Sequence, residues 1–116
     1  MRGDELRVVD AFAAWLESEG WEVRREVEFV DIMATRHGET LYAEAKGRTA
    51  AVGLDVDTMY GQLLRRMRDE STGAHYAVVI PTEAVTAALR VPPWVRDRLA
   101  VAVYEVAETG AVSRHS

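Results

Sequence analysis

Two acids and one lysine stand out in the sequence because their types and spacing suit a metal-assisted reaction. Asp31 lies in a stretch rich in apolar residues, and Glu44 and Lys46 lie in a second such stretch, separated by one residue. Lys46 is the single lysine among 14 basic residues, and the others are arginines. Paired carboxylates hold hard divalent cations, and a neighbouring amine can offset developing negative charge. These three residues are therefore the first candidates for a chemical site.

A tight turn predicted at His37 and Gly38 brings the two acids together. If these two residues form the loop of a β-hairpin, the numbers of facing residues have a constant sum, and Asp31 and Glu44 meet that condition. Their Cβ atoms would then lie roughly 4.5 to 5.5 Å apart. Lys46 follows Glu44 by two residues, so its side chain would leave the same side of the strand. We therefore expect the three side chains to converge on one patch.

Carboxylates that face each other this closely repel unless a cation lies between them. We expect Asp31, Glu44 and the carbonyl group of Ala45 to hold Mg²⁺ or Mn²⁺, since such ions take one or two carboxylates together with water and substrate phosphate. The ion would polarise a phosphodiester and acidify a bound water, and Lys46 would orient that water or help to deprotonate it. The alternative is a surface hairpin with salt bridges, but the apolar neighbours indicate strands that are mostly buried.

The elements that must position these residues alternate between helical and strand patterns. Apolar residues at helical spacing predict a helix over residues 4–19 and another that is capped by Asp55 or Asp57 and runs to about residue 68. Thr82 caps a predicted short helix that runs to about residue 89, and a further helical turn is predicted over 94–98. Alternating or continuous apolar residues predict strands over residues 21–29, 30–34, 40–46, 75–81 and 100–106. The tail over 108–116 is either an edge strand or frayed.

Composition and length set outer bounds on the class of protein. With 116 residues, 48% hydrophobic and 28% charged, the chain has the size and composition of one globular domain over residues 1–116. The order of elements predicts an α/β fold with a central mixed sheet flanked by helices. No apolar run approaches the roughly 18 residues of a membrane span, and no signal peptide is recognisable, so we expect a cytoplasmic protein without membrane contact. The absence of cysteine excludes disulfides and thiolate zinc sites.

The acids and the lysine occur in a pattern that resembles a known superfamily. An Asp on one strand followed by Glu-x-Lys on the next resembles the signature of the PD-(D/E)XK nucleases, and it is present here as Val30-Asp31-Ile32 and Glu44-Ala45-Lys46-Gly47. The chain departs from the pattern at Val30, where the superfamily usually has proline. The resemblance covers about residues 4–106 and looks most like compact resolvase-like or repair-type members. It implies a restriction-endonuclease-like αβββαβ core and metal-dependent cleavage.

The resemblance also implies two further site residues. Glu5 falls where superfamily members often carry an additional metal-binding acid on the first helix, and Gln62 falls where many have a glutamine on the helix after Glu-x-Lys. Glu5 could equally be an acid favoured by the helix dipole, and Asp4 or Glu17 could take the metal-binding place instead. Gln62 could equally be an ordinary residue of a helix surface.

The expected partner is a nucleic acid, although the net charge of -5 speaks against a uniformly basic surface. Arg48, Arg65 and Arg66 are candidate phosphate contacts, and Arg48 is preferred because it lies just after Lys46. The leading hypothesis is a Mg²⁺- or Mn²⁺-dependent nuclease acting on DNA, with RNA left open. The alternative is a catalytically silent binding or scaffolding module in a DNA-processing or defence complex. A chain of this size has little surface for specificity, so we expect a homodimer or a subunit of a larger complex.

Overall fold

A computed structural model describes residues 3–27 and 29–115 of the chain. It contains a six-stranded sheet with the strands in sequence order from β1 to β6. The elements are α1 (Gly3–Ser18), β1 (Glu22–Val27), β2 (Val30–Arg36), β3 (Glu39–Ala45), α2 (Val52–Arg65), β4 (Ala74–Pro81), a 3₁₀ turn (Thr82–Ala84), α3 (Val85–Ala88), α4 (Pro93–Leu99), β5 (Val101–Val106) and β6 (Val112–His115).

The sheet is mixed, as the sequence predicts. Strands β1, β2 and β3 pair antiparallel, β3, β4 and β5 pair parallel, and β6 returns antiparallel to β5. Parallel strands need crossover connections, which α2 supplies between β3 and β4, and α3 with α4 supplies between β4 and β5. The expected α/β fold with an αβββαβ core and a helix-flanked mixed sheet is confirmed.

Two apolar layers hold the helices on opposite faces of the sheet. Helix α1 packs its buried stripe, which includes Phe12 and Leu16, against the side chains of β2 to β5 on one face. Helix α2 packs Met59 and Leu63 against β4 and β5 on the other. Each of these four side chains has at most 1% of its surface exposed, so the sheet between the helices is well shielded from water. Within the described residues no helix has both the length and the apolar character that crossing a membrane requires.

The β2–β3 hairpin has the predicted register. Ile32 faces Ala43 and Met33 faces Tyr42, with His37 and Gly38 at the turn. Both turn residues have positive φ angles, 51° and 80°, as a two-residue turn of the type that fits the twist of a hairpin requires. Side chains therefore alternate along β2 and β3 as the sequence suggested.

The start of α2 differs from the prediction. Ala51, rather than Asp55 or Asp57, is the residue that precedes the first turn, and no side chain caps it. The helix begins earlier, because Val52 in its first turn packs against the apolar cluster that contains Val56. Asp55 instead lies in the first turn, where a negative charge is favoured by the helix dipole.

The segment after β4 also differs in detail. Thr82 opens a 3₁₀ turn rather than capping an α-helix, and the residue before that turn is Pro81. The tail over 112–115 is an edge strand, β6, which settles the open choice at this end of the chain. His115 holds it through a 2.8 Å hydrogen bond to Glu105 of β5.

Phe29 does not belong to the apolar face of a strand, contrary to the prediction of a strand over 21–29. Strand β1 ends at Val27, and Val27 already pairs with Val30 of β2. Phe29 lies in the turn between the strands, has φ 66° and leaves 80% of its surface exposed. The hairpin therefore displays a large aromatic ring two residues before Asp31.

The two outer strands of the sheet are short or heavily charged. Strand β1 carries Glu22, Arg24, Arg25 and Glu26 within six residues, and all four side chains are exposed. Strand β6 at the other edge has only four residues.

Candidate active site

Asp31 and Glu44 meet across the β2–β3 hairpin, as the turn arithmetic predicts. Their side chains are in hydrogen-bonding contact. The N–H group of Ala45 donates to Asp31 Oδ2 at 2.8 Å and so fixes the orientation of that carboxyl group. Asp31 is partly buried and Glu44 has 3% of its surface exposed. A buried acid and a partly buried one thus lie in contact near the end of β3.

The environment of Glu44 favours its neutral form. The pKa of Glu44 is raised to about 7, mainly by burial and in addition by the negative charge of Asp31. Arg66 opposes this shift, because its Nη1 atom donates to Glu44 Oε1. One guanidinium group beside two carboxyl groups leaves the ionised pair short of positive charge.

The chemistry of the donors at this position fits a hard divalent cation. Within residues 3–27 and 29–115 no cluster of three or more His, Cys, Asp or Glu side chains could hold a metal ion. The protein ligands would therefore be two carboxylates, from Asp31 and Glu44, with the backbone carbonyl of Ala45 as the third. Mg²⁺ commonly keeps several waters and takes few protein ligands, which suits so small a set.

Lys46 lies at the end of β3 in a different cleft from the one that Asp31 lines. Its N–H group donates to Val79 of β4 at 3.0 Å, which carries the parallel pairing one residue past the strand. The cleft around its side chain, with a volume of about 630 Å³, is lined also by Glu5 of α1 and Asp55 of α2. Lys46 makes no ion pair with either member of the acid pair or with any other described residue. The two acids meet as expected, and the convergence of Lys46 with them stays a prediction.

A close backbone contact places Glu5 beside Lys46. A Cβ atom at Gly47 would lie 2.3 Å from the backbone nitrogen of Glu5 and 2.6 Å from the carbonyl carbon of Asp4, so only glycine fits there. The N–H group of Arg48 also donates to the Asp4 carboxylate. The bonds that Asp4 accepts from Arg7 and Arg48 lower its pKa. The segment after β3 is thus held against the first turn of α1. Sequence reasoning missed this role of Gly47, and the one signal for it was the position of the glycine directly after Glu-x-Lys.

Gln62 lies on α2 one helical turn before Arg66. It is partly buried, and its side chain makes no hydrogen bond to the described residues. Residues four apart share a helix face, so Gln62 lies on the side of α2 from which Arg66 reaches Glu44. The structure shows no hydrogen bond between Gln62 and Asp31 or Glu44, so a role of Gln62 in the site stays a prediction.

The three arginines expected to contact phosphate occupy different surroundings. Arg48 is exposed and its Nη1 atom lies 3.4 Å from Glu83 Oε2, at the side of the Lys46 cleft. Arg65 is exposed and makes no ion pair within the described part of the chain. Arg66 is bound to Glu44, a pairing that sequence reasoning missed because it depends on how α2 packs across the sheet.

Comparison with known proteins gives a fold relationship. No protein-family model matches the sequence, and no curated protein matches it at a significant level. Among solved structures, an XisH family protein from Nostoc punctiforme has a TM-score of 0.65 at 19% identity, covering 95% of this chain and 99% of that chain. An fdxN element excision controlling factor protein from Anabaena variabilis also has a TM-score of 0.65, at 17% identity, covering 92% and 95%. The chain therefore has the fold of these two proteins over nearly its whole length.

Proposed function

We propose that this protein is a Mg²⁺- or Mn²⁺-dependent nuclease that hydrolyses phosphodiester bonds of DNA. The observation that carries the proposal is the contact between the carboxyl groups of Asp31 and Glu44 in a poorly solvated position. A buried acid in contact with a second, partly buried acid is costly for the fold unless a cation or a proton compensates it. A site that compensates one acid with Arg66 and leaves the other short of positive charge suits a divalent ion.

The chain's own residues divide the work as follows. Asp31, Glu44 and the carbonyl of Ala45 would hold the ion, which when bound polarises a phosphodiester and acidifies a water molecule. The N–H group of Ala45 keeps Asp31 aimed at the site. Lys46, directly after the same strand, would offset negative charge on the substrate or orient water. Glu5 on α1 lines the same cleft as Lys46 and would assist metal binding.

We propose DNA rather than RNA as the substrate. One structural neighbour is described as controlling the excision of an element, and we extend that context to this chain as part of the proposal. The arginines at the end of α2 supply positive charge near the acid pair, as contact with a phosphate backbone requires.

Metal binding and cleavage can be tested in sequence. Calorimetric titration with Mn²⁺ should show binding by the wild type and none by Asp31→Ala. Asp57→Asn, which changes an exposed acid of α2, is the matched control and should bind normally. Plasmid and single-stranded DNA should be cleaved in Mn²⁺ by the wild type and not by Lys46→Ala. Cleavage that survives in Lys46→Ala, or a wild type that does not bind Mn²⁺, would contradict the proposal.

A catalytically silent module of a DNA-processing or defence complex is the second candidate. The observation in its favour is that Lys46 makes no ion pair with Asp31 or Glu44, whereas Arg66 already pairs with Glu44. Such a module would bind DNA equally well with and without Mn²⁺ and would cleave neither substrate. The nuclease assay therefore separates the two candidates.

We also propose that the chain works as a homodimer or as a subunit of a larger complex. Its accessible surface is 6637 Å². Specific recognition of DNA buries about 1,000 to 2,500 Å² of protein, a large share of that surface. Sedimentation velocity measures the assembly state directly, and a fully active monomer would contradict this part of the proposal.

A further inference from the structure

Phe29 is an exposed aromatic ring in the immediate neighbourhood of the acid pair. It leaves 80% of its surface in water, more than any other large apolar side chain among the described residues. Its φ angle of 66° is one that bulky residues rarely adopt, and such conformations cluster at functional positions. No ring contact within the described residues covers it. The exposure of this ring has no explanation in the packing of the fold.

Two clefts meet at Phe29 and Arg66 and form one groove. The first, of about 520 Å³, contains Asp31 together with Glu26 and Val30. The second, of about 490 Å³, runs along the end of α2 and is also lined by Tyr42, Arg65, Arg68 and Asp69. Phe29 and Arg66 line both clefts. A ligand that lies in the second cleft can therefore continue past the ring to the acid pair.

The far part of the groove can accept negative charge. Arg65 and Arg68 are exposed, and neither makes an ion pair within the described part of the chain. Asp69 is already occupied, since its Oδ2 accepts from the Tyr42 hydroxyl at 2.8 Å and its Oδ1 from the Ser71 N–H group at 3.0 Å. Two arginines without partners beside an exposed aromatic ring match a backbone of phosphates that carries unstacked bases.

We propose that Phe29 stacks on an unpaired base of single-stranded DNA while Arg65 and Arg68 contact its phosphates, so that the strand is led to Asp31 and Glu44. The proposal rests on the proposed nuclease function and specifies the form of its substrate. A ring can stack on a base only where the face of that base is free, which holds in a single strand and not inside a duplex. The groove therefore selects single-stranded DNA, or the single-stranded part of a larger substrate.

The test is a comparison of binding to single-stranded and duplex DNA without cleavage. Fluorescence anisotropy with a labelled oligonucleotide of about 12 nucleotides, in EDTA, measures affinity for the strand and for its duplex. Phe29→Ala should weaken single-strand binding by about five- to 100-fold and leave duplex binding unchanged. Phe29→Trp should bind single strands about as tightly as the wild type. This result would show that the loss in Phe29→Ala comes from the missing ring and not from a general effect on folding. Trp94→Ala is the matched control, since Trp94 is an aromatic residue with 65% exposure outside the groove.

The outcomes separate this inference from the function on which it rests. Equal single-strand affinity in Phe29→Ala and the wild type would overturn the stacking role even if the wild type binds Mn²⁺ and cleaves DNA. The stacking role would also be overturned if Phe29→Ala weakened duplex binding by the same factor as single-strand binding. Binding of single strands that survives the double change of Arg65 and Arg68 to Ala would remove the phosphate contacts from the proposal. A wild type that binds neither DNA nor Mn²⁺ would instead refute the proposed function.

Discussion

Replacing Glu44 by Gln should make the metal-free protein more stable near pH 8 and should abolish its binding of Mn²⁺. Ionised Glu44 lies beside Asp31 in a poorly solvated position, and its pKa is raised despite the opposing effect of Arg66. The neutral form is therefore the one that the fold favours. Gln has nearly the shape of that neutral form, and its amide can donate a hydrogen bond to Asp31.

The size of the effect follows from the change in pKa. The pKa of Glu44 rises from 4.5 to about 7. Each unit corresponds to about 1.36 kcal/mol, so the ionised form costs at most about 3 kcal/mol, and we expect a gain of about 1 to 3 kcal/mol for Glu44→Gln. In a chain of this size each kcal/mol raises the melting temperature by about 4 °C.

The sign of the pH dependence is fixed by the order of the two pKa values. The pKa of Glu44 is higher in the folded chain than in the unfolded chain. Between pH 4.5 and about 7 the unfolded chain has therefore released this proton while the folded chain still holds it. The free energy of unfolding of the wild type therefore falls as the pH rises through this window, and it stays lower above the window. Below 4.5 both states hold the proton, so the advantage of the Gln variant disappears.

Thermal unfolding followed by circular dichroism at about pH 4 and pH 8 measures the effect. The difference in melting temperature between Glu44→Gln and the wild type is compared at the two pH values, because the titration of other groups affects both proteins equally. Glu108→Gln, which changes an exposed acid, is the control. Mn²⁺ should raise the melting temperature of the wild type at pH 8 and leave that of the Gln variant unchanged. A Gln variant that is less stable at pH 8, or whose advantage is the same at both pH values, would refute the reasoning.

Three further changes test other parts of the site. Lys46→Ala should keep its affinity for Mn²⁺ in calorimetry and lose cleavage of single-stranded DNA by about 100-fold or more; reduced metal affinity would show a ligand role instead. Gly47→Ala should lower the urea midpoint of unfolding by an amount equivalent to about 1 to 3 kcal/mol, because the added Cβ collides with the backbone of Glu5; an unchanged midpoint would contradict the close contact. Arg66→Gln should bind Mn²⁺ about tenfold more tightly near pH 8, because the guanidinium group no longer competes for Glu44; calorimetry giving equal or weaker affinity would contradict this competition.

The parts of the fold that local patterns determine could be predicted from the sequence. His37 and Gly38 have the positive φ angles that a two-residue hairpin turn requires, and this turn sets the register of the whole hairpin. The meeting of Asp31 and Glu44 follows from that register. Their contact was predictable for this reason, without knowledge of the rest of the molecule.

Features that depend on packing between distant segments could not be predicted. Arg66 reaches Glu44 only because of the way α2 lies across the sheet, and a helical pattern contains no information on that angle. Lys46 follows the last residue of β3, so its surroundings are set by α1 and α2 more than by strand alternation. Phe29 continues an apolar alternation in sequence, yet the chain turns before it. In each case the tertiary structure overrides the local pattern.

The charged edge at β1 limits how copies of this protein can associate. A strand from a second molecule that joined the sheet there would meet four ionised side chains, Glu22, Arg24, Arg25 and Glu26, and would have to neutralise or desolvate them. At the opposite edge β6 offers only four residues to pair with. Growth of the sheet from molecule to molecule, the usual route to aggregation in β-proteins, is therefore disfavoured at both ends, and a dimer of this protein should form through helices or loops.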